Sequence, residues 1–210
     1  MKNDMYRTTL RWLGRSAVIT AAIMLAACTT EAPVGLDRGP AINAPATAPS
    51  TAASVDAVGG GNRGADLADC DSLRVPEPST LAFHAFATGV QIYRWSGSAW
   101  VFVAPSAQLF ADAGGNGVVG THFAGPTWES NSGSKVVGML VQSCTPDRDA
   151  IAWLLLKARF SEGPGIFQRV TYIQRVNTEG GKAPTDPGGC IGDVVSVPYT
   201  ADYYFYRKHD

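Results

Sequence analysis

From about residue 80 onward, apolar side chains come in short runs separated by Gly, Pro, Ser or Asn. Residues 81–86 form one run, and residues 90–95 follow, with Val90 and Ile92 alternating against Gln91 and Tyr93. Ser96-Gly97-Ser98 then turns the chain into 99–103. Segments 108–111 and 118–123 flank Gly114-Gly115-Asn116-Gly117, and 135–142 comes next. In 167–177, Val170, Tyr172, Gln174 and Val176 share one face, while Arg169, Thr171, Ile173 and Arg175 share the other. Residues 199–206 close the pattern. Period-two runs rich in β-branched and aromatic residues, bounded by turn formers, predict strands. Segment 151–160 (IAWLLLKARF) fits a buried helix turn or a central strand by its pattern. Pro146 before it and Gly163-Pro164-Gly165 after it limit its length and favour a strand. The sum is an all-β domain, an antiparallel sandwich or small barrel.

The N-terminal third has no such pattern. Four cations (Lys2, Arg7, Arg11, Arg15) precede the uncharged apolar run 16–27, which is the layout of a signal peptide and too short for a stable membrane span. The run ends in Leu25-Ala26-Ala27-Cys28, which resembles the lipobox of bacterial lipoproteins. That resemblance implies cleavage before Cys28 and acylation of its thiol, and several acyl chains on one residue give stable membrane attachment. Thr29, rather than Asp, follows the cysteine, which by the same resemblance implies the outer membrane, facing periplasm or exterior. Residues 29–66 contain no aromatic residue, and 25 of these 38 are Ala, Pro, Gly, Ser or Thr. Such a stretch buries too little apolar surface to offset its ordering entropy. The expected organisation is a signal peptide over 1–27, a flexible tether over 28–67 and one all-β domain over 68–210.

Removal of residues 1–27 leaves 13 basic and 17 acidic residues, a mildly acidic mature chain. This argues against nucleic acid as a partner, because a basic face is the usual footprint of such binding. Three cysteines remain in the domain: Cys70, Cys144 and Cys190. An oxidising compartment favours a disulfide, and three pairings are open. Cys70 and Cys190 both lie in polar, loop-like surroundings that suit a surface staple. With no CxxC and only His84, His122 and His209 in the chain, neither a metal nor a cofactor is expected.

Candidate chemistry is sparse. Gly115, Gly117 and Gly120 form a G-x-G-x-x-G, but Gly125-Pro126 prevents a useful helix behind it, so a hairpin turn is expected rather than a dinucleotide site. His122 and Glu129 flank one Gly-Pro turn and are the candidate catalytic pair, with His122 shuttling a proton and Glu129 orienting or deprotonating a substrate. The duller alternative packs His122 under Trp128 and leaves Glu129 to the turn. Trp128 is also a candidate wall or sugar-stacking plate. If Arg175 and Asp202 both point inward they should pair, because an unpaired buried charge is costly. Otherwise Arg175 is a candidate anion clamp in a pocket lined by Tyr203 and Tyr206. Residues 177–192 read as one long loop, a pinned lid over a site.

GVQIYRW (89–95), WVFVAPSAQLF (100–110), GTHFAGPTWE (120–129), GSKVVG (133–138), WLLLKA (153–158), VTYIQRVNTEGGKAP (170–184), Cys190 and VPYTADYYFY (197–206) together resemble the family called domain of unknown function 3455. The likeness spans about residues 75–206. It implies a secreted or lipid-anchored protein and lends no reaction. Many relatives carry Cys where this chain has Trp95, and that position would pair with a Cys at the place of Cys190. The functional expectation is a non-catalytic envelope module that binds a small molecule or glycan through Trp128, Tyr203 and Tyr206. The alternative is a secreted hydrolase or isomerase using His122 and Glu129.

Overall fold

The computed structural model describes residues 64–208. The expected signal segment, Cys28 and nearly all of the expected tether lie outside the described residues. Eight strands follow in order: β1 (Ser79–Trp95), β2 (Trp100–Phe110), β3 (Val118–Phe123), β4 (Thr127–Ser130), β5 (Lys135–Cys144), β6 (Trp153–Glu162), β7 (Val170–Gly180) and β8 (Val194–Lys208). Each pairs antiparallel with the next, and β8 returns to β1, so the single sheet closes into a barrel. Between the two expected architectures, the barrel is the one formed.

Two pairs of expected runs fuse into single long strands. β1 joins 81–86 to 90–95 through Thr88 and Gly89. A Cβ at Gly89 would lie 2.2 Å from the Ser106 carbonyl oxygen and 2.4 Å from Ala107 Cα, so only glycine lets β1 and β2 approach here. β2 runs straight through Pro105, which sits in a stretch paired with β1 alone. Edge stretches are where a strand tolerates proline. Within β1 the buried members of the 90–95 alternation are Gln91 and Tyr93, not the aliphatic pair. The interior phase is Ala85, Ala87, Gly89, Gln91 and Tyr93. Ala85 stands opposite Tyr203 and Gly89 opposite Tyr199, so small residues on β1 make room for rings from β8.

β6 and β7 are covered on both faces, which is why 151–160 reads as a continuous apolar run. Leu156 and Ile173 belong to the barrel core with Leu154 packed against it. Trp153, Leu155 and Val176 point outward into a second cluster, where Cys70 and Leu73 cover them. This outer cover comes from residues before β1, including the short 3-10 turn Asp71–Leu73. The Gln174 amide donates to the Leu73 carbonyl (2.7 Å), and the Tyr206 hydroxyl donates to the Gln174 amide oxygen (2.6 Å). Ala65 and Leu67 already pack into this cluster, so ordered packing begins before the expected boundary at residue 68.

A disulfide joins Cys70 to Cys144, tying the outer segment to the end of β5. Of the three open pairings this is the one formed with Cys70, rather than a staple to Cys190, because the outer segment runs over β5 to β7, on the side of the cover. Cys190 lies in the loop before β8. There the Trp95 amide donates to the Asp193 carbonyl (2.8 Å) and the Gly192 amide to the Trp95 carbonyl (2.8 Å). The ring of Trp95 packs so closely on Gly188 that a Cβ there would fall 2.6 Å from it. The Gly115–Gly120 triplet spans the β2–β3 hairpin, as expected, with the Asp112 carboxylate accepting from the Gly114 (2.8 Å) and Asn116 (3.1 Å) amides.

One end of the barrel is plugged. Residues 163–169 fold over it and insert Phe167, which is fully buried. Its amide donates to Ser134 Oγ (3.2 Å) and its carbonyl accepts from Ser161 Oγ (2.5 Å). Phe167 packs on Phe205 (ring centroids 4.8 Å apart), and Phe205 on Trp128 (5.9 Å), so aromatic rings fill this half of the interior.

Candidate functional site

The other half of the barrel is hollow, and the cause is the shortness of the β3–β4 hairpin. β3 has six residues and β4 four, whereas β2 and β5 have eleven and ten. Pairing of β2 with β3 begins only at Ala107, and pairing of β4 with β5 ends at Val137. Beyond the turn at 124–126, β2 and β5 therefore face each other without a strand between them. Through this window opens a cavity of about 260 Å³. Phe102, Val103 and Pro105 form one lip, Leu140 the other, and Ala124 to Pro126 the sill. A second hollow of about 510 Å³ adjoins it towards Ala150 to Ala152 and Lys182, with Gln91, Phe102, Leu154 and Arg175 common to both. Phe102 and Leu140 are 51% and 56% exposed, which is unusual for large apolar side chains beside a core.

The wall carries a small set of polar groups. Gln91 comes from β1, Trp128 from β4, Arg175 from β7 and Tyr203 from β8. Gln91, Trp128 and Tyr203 are each at most 3% exposed. The Gln91 amide nitrogen, the Trp128 indole nitrogen and the Tyr203 and Tyr199 hydroxyls make no hydrogen bond of good geometry among the described residues, although Tyr199 lies against Tyr203 and Gln91, and Tyr203 against Arg175. Buried polar atoms are nearly always satisfied, so this concentration is informative. Burial raises the pKa of Tyr203 and Tyr199 above the ordinary tyrosine value, so both stay protonated; Arg175 opposes the shift in each case. Arg175 is half-buried, with Nε and Nη2 both donating to the Ala152 carbonyl (3.1 and 2.7 Å).

His122 and Glu129 do not meet. In the β3–β4 register His122 opposes Trp128 and Thr121 opposes Glu129, so the two candidate catalytic side chains lie on opposite faces of the sheet. Outside, Glu129 forms an ion pair with Lys135 (3.3 Å). Inside, His122 stacks flat on Trp128, with ring centroids 4.4 Å apart and planes 10° from parallel. Its Nδ1 lies 2.8 Å from the Thr127 carbonyl, which can only accept, so Nδ1 carries the proton. Desolvation depresses the His122 pKa to about 3. A His–carboxylate pair from these residues has no geometry to act as acid and base.

Arg175 and Asp202 also part. Arg175 is opposite Tyr203 while Asp202 is opposite Val176, again on opposite faces. Asp202 accepts from the Asn177 amide (2.8 Å) and lies 3.7 Å from His84 Nε2 on the outer surface. Tyr206 faces outward under the N-terminal segment, where the Ala65 amide donates to its hydroxyl (3.3 Å). It cannot line the pocket with Tyr203. Trp128, at 1% exposure and stacked on His122, is wall rather than an open plate. The 177–192 loop is shorter than expected, because β7 continues to Gly180; Lys182 and Ala183 border the second hollow. Of the expected residues the structure thus gathers His122, Trp128, Arg175 and Tyr203. It adds Gln91, whose one signal in the sequence is a polar side chain in phase with Ala85, Ala87, Gly89 and Tyr93.

A family model described as "Protein of unknown function" matches residues 76–207, which takes in the eight strands except Lys208, the last residue of β8. The chain matches no curated protein and no solved structure.

Proposed function

The chain belongs to the DUF3455 family, which assigns no reaction, so from the site itself we propose a non-catalytic module that binds a small, largely apolar molecule inside the barrel. The observation that carries it is the hollow half of the interior, open through a lateral window and furnished with polar atoms that make no hydrogen bond of good geometry. Eight-stranded barrels are either filled by their own side chains or hold one small ligand. Here one half follows the first course and the other half is left for the second. A concave apolar site with a few convergent polar groups is the usual form of a small-molecule site. A glycan is the less favoured ligand, since the lining is largely apolar and Trp128 is sealed against His122. The same proposal has the module held at the outer membrane by acylated Cys28, supported by the Leu25-Ala26-Ala27-Cys28 sequence.

The test uses a neutral fluorescent probe, N-phenyl-1-naphthylamine, titrated onto the mature chain. Saturable binding at one site, abolished in Leu154→Trp, which fills the space shared by both hollows, is the expected result. A chain that gives no saturable signal, or a filled variant that binds as well as the wild type, would overturn the proposal.

A further inference from the structure

The cavity holds a cation and no anion. Arg175 lies at the junction of the two hollows, and Lys182 borders the second. No aspartate or glutamate lines either. Among the described residues Arg175 has no carboxylate partner; its neutral bonds to the Ala152 carbonyl fix the guanidinium without neutralising it. A half-buried charge in apolar surroundings is costly unless a counter-charge reaches it. Nearby, an amide N–H of Gln91 and the hydroxyl of Tyr203 make only loose contacts with Tyr199 and Arg175, and both are donors that suit an acceptor oxygen. Beyond them the lips are purely apolar: Phe102, Val103, Pro105 and Leu140.

Resting on the proposed cavity binding, we infer that the ligand is a single-headed amphiphile whose carboxylate sits between Arg175, Gln91 and Tyr203 and whose apolar body lies along Phe102, Val103 and Leu140. A guanidinium is suited to this task because its planar fork matches the two oxygens of a carboxylate. The head enters first and the body follows into the window, where it covers the exposed Phe102 and Leu140. The binding is non-covalent and reversible, and no bond is made or broken.

The experiment is displacement of bound N-phenyl-1-naphthylamine by decanoate, decanol and decyltrimethylammonium, which share a chain and differ in head. Decanoate is expected to displace the probe at concentrations at least about tenfold lower than decanol, the range expected for a charge-assisted hydrogen-bonded pair. The ammonium should be weakest. Arg175→Gln should bring the decanoate-to-decanol ratio close to one. Tyr203→Phe, which removes one oxygen and keeps the ring, should lower the ratio several-fold and provides the readout should Arg175→Gln fail to fold. If decanol displaces as well as decanoate, or Tyr203→Phe and a folded Arg175→Gln leave the ratio unchanged, the carboxylate inference falls while cavity binding stands. If the probe never binds, both fall.

Discussion

At the scale of single residues, the side chain with the most at stake is His122. It is sealed against Trp128 and Tyr203, with its proton committed to the Thr127 carbonyl and Arg175 adding repulsion to any second proton. Its folded pKa of about 3 lies below the ordinary 6.5, so the unfolded chain takes up a proton that the native state refuses. The stability is complete above pH 6.5 and declines as pH falls from there towards 3, with a slope of about 1.4 kcal/mol per pH unit from this group. Urea unfolding from pH 7.5 to 4 should show that slope, and His122→Gln should flatten it by about one proton's worth. An unchanged slope in the variant would contradict the burial of a neutral ring. The sequence marked His122, Trp128, Arg175 and Tyr203 as notable by residue type. What it could not show was which neighbour each would face. One residue of offset in a strand reverses the face, and that offset separates His122 from Glu129 and Arg175 from Asp202.

At the scale of elements, strand positions were legible wherever one period dominated. Residues 118–123 and 135–142 map onto β3 and most of β5, because turn formers bound each of these short apolar runs. β4 was hidden: its four residues follow a Gly-Pro turn and are too few to show a period. That brevity is also what opens the window, so the least visible element shapes the site. β6 was ambiguous because its outer face is covered by residues 65–75, which no pattern within the strand reveals. The Cys70–Cys144 disulfide holds this cover over a sequence separation of 74 residues. A loop of that size implies about 4 kcal/mol of stabilisation in the chain-entropy account. The double variant Cys70→Ala/Cys144→Ala should therefore lose about 2–5 kcal/mol in denaturant unfolding. A loss below about 0.5 kcal/mol would mean that the cover stays in place by packing alone.

At the scale of the whole molecule, the proposed lipid anchor is testable apart from the barrel. Replacement of the proposed acylation site, Cys28→Ser, should abolish incorporation of radiolabelled palmitate and release the protein from the membrane fraction. Retention of label in that variant would refute the anchor and leave the barrel's binding untouched. Fold class followed from the chain itself: period-two burial after residue 80 requires sheet. The family resemblance was legible too, since its motifs lie in the strands and turns that build the barrel. What needed the tertiary structure was closure, the facing of each side chain and the hollow. Those depend on which strand neighbours which and where pairing stops. Hydrogen-bond register sets both, between residues as distant as Ala85 and Tyr203, and local composition carries no record of it.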